Sequence, residues 1–272
     1  MSIGTKIAEA RKKAKLTQQK LADKLGVSFQ AVSSWERDEF LPDTNNLINL
    51  AKVLNVSLSS LAENYNKPLF ETSETIFDWE KMYTYVSSAA SNFEFKNTLE
   101  ALPFAKKVHE GHYRKGKEKV PYIYHLLNMA CHCLAMDIND DQIIAACLLH
   151  DTIEDCGIKV NDLPVDNETK EIVRLLTHEK DDSRRQDIMN KYYKEISKNP
   201  KACLVKCIDR CNNISSMAYG LTRDKMTRMI LETEKYVLPL LDIIEIKSEY
   251  NDAAWLLKYQ ICSELDMAKR LM

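Results

Sequence analysis

Six histidines lie between His109 and His178, and none lies in the first hundred residues or the last ninety. Imidazole titrates near neutral pH and is a common metal ligand, so this block points to a metal or acid–base site. Three pieces carry the chemistry: HEGHYRKGKEKVPYIYH at 109–125, IIAACLLHDTIEDCG at 143–157 and LVKCIDRCNN at 204–213. In the second piece an apolar helix ends in His150-Asp151. Asp151, Glu154 and Asp155 then stand at i, i+3 and i+4 and share one helix face. Three carboxylates on one face repel unless a cation or protons neutralise them. A metal ion is the economical explanation, and His150 beside Asp151 supplies nitrogen and oxygen ligands suited to Mn, Fe or Zn. Asp209 follows Leu204, Val205 and Ile208 on an apolar helix, where a charge is rarely buried unless it is paired or ligates a metal. A salt bridge to Arg210 or Lys206 is the rival reading. His109 and His112 read as surface positions near Arg114, and His132 as a structural helix residue. His178 could border the site. Cys203, Cys207 and Cys211 read as small core residues.

Helices must position these groups. Only 6 Gly and 7 Pro occur in 272 residues, too few for the turns of an all-β protein. Hydrophobic residues at 45% and charged residues at 29% describe a soluble globular chain of one or two domains. A net charge of −2 rules out a generally basic nucleic-acid coat. No apolar run approaches the ~20 residues that span a bilayer. The start, MSIGTKIAEARKKAK, has no apolar signal core. Eight cysteines without a CxxC pair read as reduced thiols, so a cytoplasmic protein is expected, with no membrane partner. The stretch KPLFETSETI, residues 67–76, is polar, carries Pro68 and lacks a helical period, and it reads as a linker. The expected fold is therefore all-α, with a small five-helix domain over 1–66 and a larger helical domain over 77–272. In the second, DWEKMYTYVSSAASNF and FKNTLEALPFAKKVHEG read as the opening helices. Leu257, Ile261 and Leu265 recur every four residues near the end, on a face that completes the core or forms a dimer seam.

The first domain has its own signature. Residues 1–35 hold seven Lys or Arg against Glu9 and Asp23, a local basic face that suggests an anionic partner. Thr17 reads as a helix N-cap, Gly26-Val27 as a tight turn, and Ser28 as the cap of SFQAVSSWER. Pro42 and Asp43 open a fourth helix, and VSLSSLAEN gives a short fifth. The run TQQKLADKLGVSFQAVSSWERDEFLPDTNNLINLAKVLNVSLSSL resembles the Cro/CI-type (XRE) helix-turn-helix domain. That resemblance implies a recognition helix from Ser28 to Glu36 in the major groove of double-stranded DNA. Its outward side chains would be Ser28, Phe29, Gln30, Ser33 and Ser34, with Gln30 suited to adenine and Phe29 to a thymine methyl. Gln18 would meet a phosphate at a helix N-terminus, and Arg37 with Lys13 or Lys15 would add phosphate contacts. Val32 and Trp35 would be core. A homodimer on a palindromic site would offset a recognition helix that has no cation before Arg37.

The second domain resembles the HD superfamily of metal-dependent phosphohydrolases, whose signature is His, then His-Asp, then a distant Asp. The closest branch is the (p)ppGpp hydrolase domain of RelA/SpoT enzymes and the small alarmone hydrolases. RKG…PYIYH, IIAACLLHDTIED, KCIDRCNNI and RMILETEKYVLPL carry the match over residues 100–242. The resemblance implies one divalent metal, Mn2+, on His125, His150, Asp151 and Asp209. Glu154 and Asp155 would position or deprotonate the attacking water. Arg114 and Lys115 would face the substrate, Asn213 would hold the nucleoside, and Arg228 would be a further phosphate contact. Three departures accompany the match: GKEKV lengthens the segment after Arg-Lys, Leu126 replaces a proline, and Cys156 stands where threonine is usual. The implied reaction removes pyrophosphate from the ribose 3′ position of a guanosine nucleotide such as ppGpp. Two alternatives are a transcriptional regulator whose HD domain senses a nucleotide without turnover, and an HD phosphohydrolase of another nucleotide, such as a dNTP or NADPH.

Overall fold

The computed structural model describes residues 3–57, 60–61, 77–116, 119–178, 185–247 and 249–272. The linker at 67–76 and most of the fifth helix of the first domain lie outside the described residues. The chain divides into two compact units, one within residues 1–72 and one within 73–272. The described residues are helices and their connections, with one isolated antiparallel bridge between Tyr113 and Pro121. Among them no helix is long and apolar enough to cross a membrane.

The first unit contains α1 (Ile3–Lys13), α2 (Gln18–Leu25), α3 (Phe29–Glu36) and α4 (Thr44–Leu54). Its boundaries follow from local chemistry. The Thr17 hydroxyl accepts the Lys20 N–H, Ser28 accepts that of Ala31, and Asp43 accepts that of Asn46. Each such cap contributes about 1 kcal/mol. Gly26 ends α2 at φ 68°, a backbone conformation glycine adopts without strain. Ile7, Leu21, Val32, Trp35 and Leu50 fill the core. Arg11 holds Glu36 through two hydrogen bonds, and Gln18 donates to the same carboxylate, tying α1, α2 and α3 together.

The second unit begins with α5 (Trp79–Asn92), α6 (Lys96–Val108), α7 (Ile123–Ala135) and α8 (Asp141–Leu149). Then follow α9 (Thr152–Cys156), α10 (Asn167–Leu176), α11 (Arg185–Ile196) and α12 (Pro200–Gly220). The chain closes with α13 (Arg223–Glu232), a π-helical turn at Thr233–Val237, α14 (Leu238–Lys247) and α15 (Asn251–Leu271). Every residue of α8 from Ile143 to Leu149 is buried. A helix apolar on all sides must be surrounded, and α6, α7, α10 and α12 pack around it. The start of α6 has no cap of its own. The Asp141 carboxylate accepts the N–H groups of Asn97 and Thr98 instead, so α6 is fixed to the start of α8. Leu257, Ile261 and Leu265 of α15 are all buried in this core. Of the two readings of that face, the structure shows the one in which it completes the core.

Candidate functional site

Four of the expected side chains converge between α7, α8 and α12. His125 sits in the first turn of α7, His150 follows the last residue of α8, Asp151 precedes α9, and Asp209 lies in mid-α12. His125 Nε2 is 3.4 Å from Asp209 Oδ1 and 3.9 Å from Asp151 Oδ2. His150 Nε2 is 2.9 Å from Asp151 Oδ2 and 3.7 Å from Asp209 Oδ1. His125, His150 and Asp209 are buried. Their outer partners fix which atoms face inward. The Nδ1–H of His150 donates to the Cys147 carbonyl, 3.0 Å away, and that of His125 donates to Asn212 Oδ1. Both Nε2 atoms are thereby directed at the two carboxylates, the usual arrangement behind metal-ligating histidines. His150 Nε2 is buried and, despite its short distance to Asp151, makes no hydrogen bond. Burial alone would depress the His150 pKa, yet the facing carboxylates hold it at about 10. Asp151 is driven well below the carboxylate range against its burial, chiefly by His150. This centre demands positive charge, and an orphaned nitrogen beside two anionic oxygens fits a divalent cation.

Sequence reasoning offered a salt bridge as the rival role for Asp209, and the structure contains one to Lys206. Lys206 donates to Asp209 Oδ2 at 3.0 Å, while Oδ1 faces the histidines. Arg210 turns away and pairs with Glu232. Asn213 donates to Asp209 Oδ1 at 2.5 Å, and the Tyr122 hydroxyl donates to Asp151 Oδ2 at 2.5 Å.

Tyr122 and Asn213 also line a cleft of about 560 Å³, together with Arg114, Lys115, Asp155 and Ser216. Arg114 donates to Ser216 Oγ at 2.7 Å and reaches Asn213 Oδ1 at 3.5 Å. A methyl group on Gly220 would lie 1.9 Å from the Lys115 carbonyl oxygen, so α12 meets this segment only because residue 220 has no side chain. The three acids of HDTIED do not share one environment. Asp151 joins the histidines and Asp155 lines the cleft, whereas Glu154 accepts the His178 backbone N–H and lies 2.9 Å from His178 Nδ1. The reason is that α9 is a single turn ended by Gly157 at φ 66°, with Asp151 at its cap rather than within it. Arg228 lines a different groove, with Arg185, Glu232 and Lys235. His109, expected at the surface, is buried and stacks on Tyr122 at 4.9 Å between ring centres. Its place follows from the C-cap of α6, which α8 draws into the core. His112 is exposed as expected, and Cys203, Cys207 and Cys211 are buried. Sequence reasoning missed Tyr122, Asn212 and the pairing of His178 with Glu154. Tyr122 and Asn212 adjoin singled-out residues, so proximity to the motifs was their available signal.

In the first unit, Ser28, Phe29 and Gln30 are exposed at the start of α3, and Ser34 is half-buried. Ser33 is a correction: it is buried, with its hydroxyl accepting Arg37 Nη1 at 2.6 Å. It lies next to Val32 on the inward side of the helix, too near the core stripe to face outward. Arg37 also pairs with Glu39, and both of these side chains are exposed. Gln18 is half-buried through its bond to Glu36.

Residues 7–61 match the family described as Helix-turn-helix (HTH_3), and the N-terminal unit is a helix-turn-helix domain. The chain is 27% identical over 203 residues to a guanosine-3′,5′-bis(diphosphate) 3′-pyrophosphohydrolase of Aquifex aeolicus, covering 72% of this chain and 28% of that protein. It therefore spans little more than a quarter of that relative's length. It is 32% identical over 125 residues to the guanosine-3′,5′-bis(diphosphate) 3′-pyrophosphohydrolase MESH1 of Xenopus tropicalis, covering 44% of this chain and 68% of that protein. The solved structure of a metazoan ortholog of SpoT shares the fold at a TM-score of 0.51 and 20% identity, over 63% of this chain and 95% of that one. Beyond its helix-turn-helix domain, the chain belongs to the family of the MESH1 guanosine-3′,5′-bis(diphosphate) 3′-pyrophosphohydrolase.

Proposed function

We propose that the second unit is a metal-dependent phosphohydrolase that releases pyrophosphate from the ribose 3′ position of ppGpp or a close guanosine relative. One observation carries this reading. Two inward-facing imidazoles and two carboxylates meet beside a cleft lined by Arg114 and Lys115, and Tyr122 and Asn213 belong to both. The names of the Aquifex and Xenopus relatives support the substrate class. His125, His150, Asp151 and Asp209 would hold the ion. Their mixed imidazole and carboxylate donors suit Mn2+, which we assign to it. When bound, such an ion supplies Lewis acidity at a phosphoryl oxygen and makes water a better nucleophile at neutral pH.

The remaining steps belong to the chain's own side chains. Arg114 and Lys115 bind the anionic phosphates and offset the charge that develops on them. Asn213 orients the nucleoside while it holds Asp209. Glu154, kept in place by His178, and Asp155 on the cleft wall orient the attacking water and accept its proton. The water oxygen bonds to phosphorus, the bond from that phosphorus to the ribose 3′-oxygen breaks, and pyrophosphate leaves as the 3′-hydroxyl is restored. Arg228 lines another groove and has no part in these steps.

The helix-turn-helix unit is assigned to double-stranded DNA, with Ser28, Phe29 and Gln30 at the exposed start of α3 as the base-reading set. A homodimer would place two such helices on a palindromic site. The eight free cysteines accord with a reducing, cytoplasmic setting.

The test is turnover with Mn2+ against ppGpp, other nucleotides and NADPH, following phosphate and pyrophosphate separately. Pyrophosphate release confined to guanosine 3′-diphosphates is expected. Turnover of a dNTP or NADPH in preference would replace the substrate. Metal binding with no turnover of any of them would favour a nucleotide-sensing regulator.

A further inference from the structure

A second group of metal-type donors stands apart from the four residues described above. His109, His112 and Cys156 each present a ligand atom, and these atoms all lie within 4.8 Å of one another. They come from separate pieces of chain. His109 is the C-cap of α6, His112 lies in the turn that follows, and Cys156 is the last residue of α9. The turn is built to bring the two imidazoles to one side. Gly111 sits between them at φ 77°, and the His112 N–H closes onto the His109 carbonyl at 3.0 Å.

The Cys156 thiol donates to the Val108 carbonyl at 3.4 Å, and the separations among the three donors match those between ligands of one cation. Cys156 Sγ is 3.5 Å from His109 Nδ1, 3.8 Å from His109 Nε2 and 3.9 Å from His112 Nδ1. Tetrahedral zinc, with Zn–S near 2.3 Å and Zn–N near 2.0–2.1 Å, sets sulfur and nitrogen about 3.5 Å apart. One thiolate with two imidazoles is also a soft-to-borderline donor set. It selects against the hard ions that carboxylates and water prefer. Packing holds the inner part firmly, since His109 is only 2% exposed. Its ring is stacked on Tyr122. The outer part is open, because His112 is exposed and lines the cleft with Asp155.

We propose that His109, His112 and Cys156 form a second cation site, selective for a borderline divalent ion such as Zn2+ and open to solvent through His112. Binding forms a metal–sulfur bond and two metal–nitrogen bonds, and it displaces the Cys156 thiol proton to solvent. An ion there fastens the end of α6 to the end of α9, next to Asp155. The site stands on its own donors, whether or not the phosphohydrolase reading holds.

Cobalt(II) tests it on the full chain, because only a thiolate-ligated cobalt gives sulfur-to-metal charge-transfer absorption in the near ultraviolet. His125, His150, Asp151 and Asp209 contain no sulfur, so cobalt held there lacks this band. The metal-free protein, titrated with Co2+, is expected to develop the band fully by two equivalents, one of them taken up silently by the four-residue centre, and to lose it when Zn2+ is added. Asp209→Ala is expected to keep the band and Cys156→Ser to abolish it. His112→Ala, at an exposed position, is expected to weaken cobalt binding at least tenfold while unfolding at the wild-type temperature. No band at saturating cobalt, a band that survives Cys156→Ser, or an unchanged titration in His112→Ala would overturn the site.

Discussion

Asn212 holds more of the proposed metal chemistry than its place beside the motifs suggests. Its carbonyl oxygen accepts the His125 Nδ1–H and so directs Nε2 at the carboxylates. Asn212→Ala leaves the four proposed ligands untouched but frees the imidazole. Metal affinity is expected to fall roughly 10- to 100-fold, measured by competition with a chelating dye. Wild-type affinity in that variant would show that the outer bond is idle. Glu154→Gln separates a different role. It keeps the size of the side chain and its distance from the proposed ligands, but it removes a proton acceptor. The expected result is full metal content with kcat lower by about 10²–10⁴. Retained turnover would move the proton-accepting role to Asp155 alone. Apolar runs that end abruptly in charge made His150-Asp151 and Asp209 legible in the sequence, and the resemblance to the HD superfamily added His125 to them. The split between Asp155 in the cleft and Glu154 on His178 was not legible. It depends on α9 stopping after one turn and on where the later His178 returns.

Helix ends were the most readable elements. Thr17, Ser28 and Asp43 announce starts because each offers an oxygen to an otherwise unpaired N–H, and the structure uses all three. The docking of α6 on α8 through Asp141 was not readable, since it joins residues more than forty positions apart. The same limit hid the close approach of α12 to the 113–116 segment. Gly220→Ala forces the Lys115 carbonyl away from α12. For ppGpp, kcat/KM is expected to drop by about 100-fold through misplaced phosphate contacts, with metal content unchanged. Equal kcat/KM would show that this segment does not touch the substrate. Helix α15 carries a separate cost. Glu264 Oε2 is buried without a hydrogen bond, and burial lifts the carboxyl to about 7. An acid whose pKa rises on folding loses no stability while it is protonated in both states. The loss grows as pH climbs from the unfolded value of 4.5 to about 7 and is complete above that. Glu264→Gln is therefore expected to raise Tm more at pH 8 than at pH 5. An equal shift at both would contradict the buried charge.

At the scale of the whole molecule, a helix-turn-helix domain and a phosphohydrolase-type helical unit share one chain, each with its own core. Two cores imply that damage in one unit leaves the other folded. Gln30→Ala, on the exposed start of α3, is expected to weaken specific DNA binding by about 1–3 kcal/mol, read by competition footprinting. Hydrolysis should be unaffected, and a parallel loss of turnover would reveal coupling between the units. The all-α architecture was legible from the scarcity of Gly and Pro and from helical spacing of apolar residues such as Leu257, Ile261 and Leu265. The burial of His109 was not, because nothing in the turn HEGH says which neighbour covers it. The proposed reaction is tested most directly by pyrophosphate release from ppGpp, assayed with Mn2+, after chelation, and in Asp209→Ala. Release that needs the metal and disappears in Asp209→Ala, with that variant still folded and still bound to DNA, is the expected result. Release that persists after chelation or in Asp209→Ala would contradict the assignment of His125, His150, Asp151 and Asp209 as the centre that drives hydrolysis.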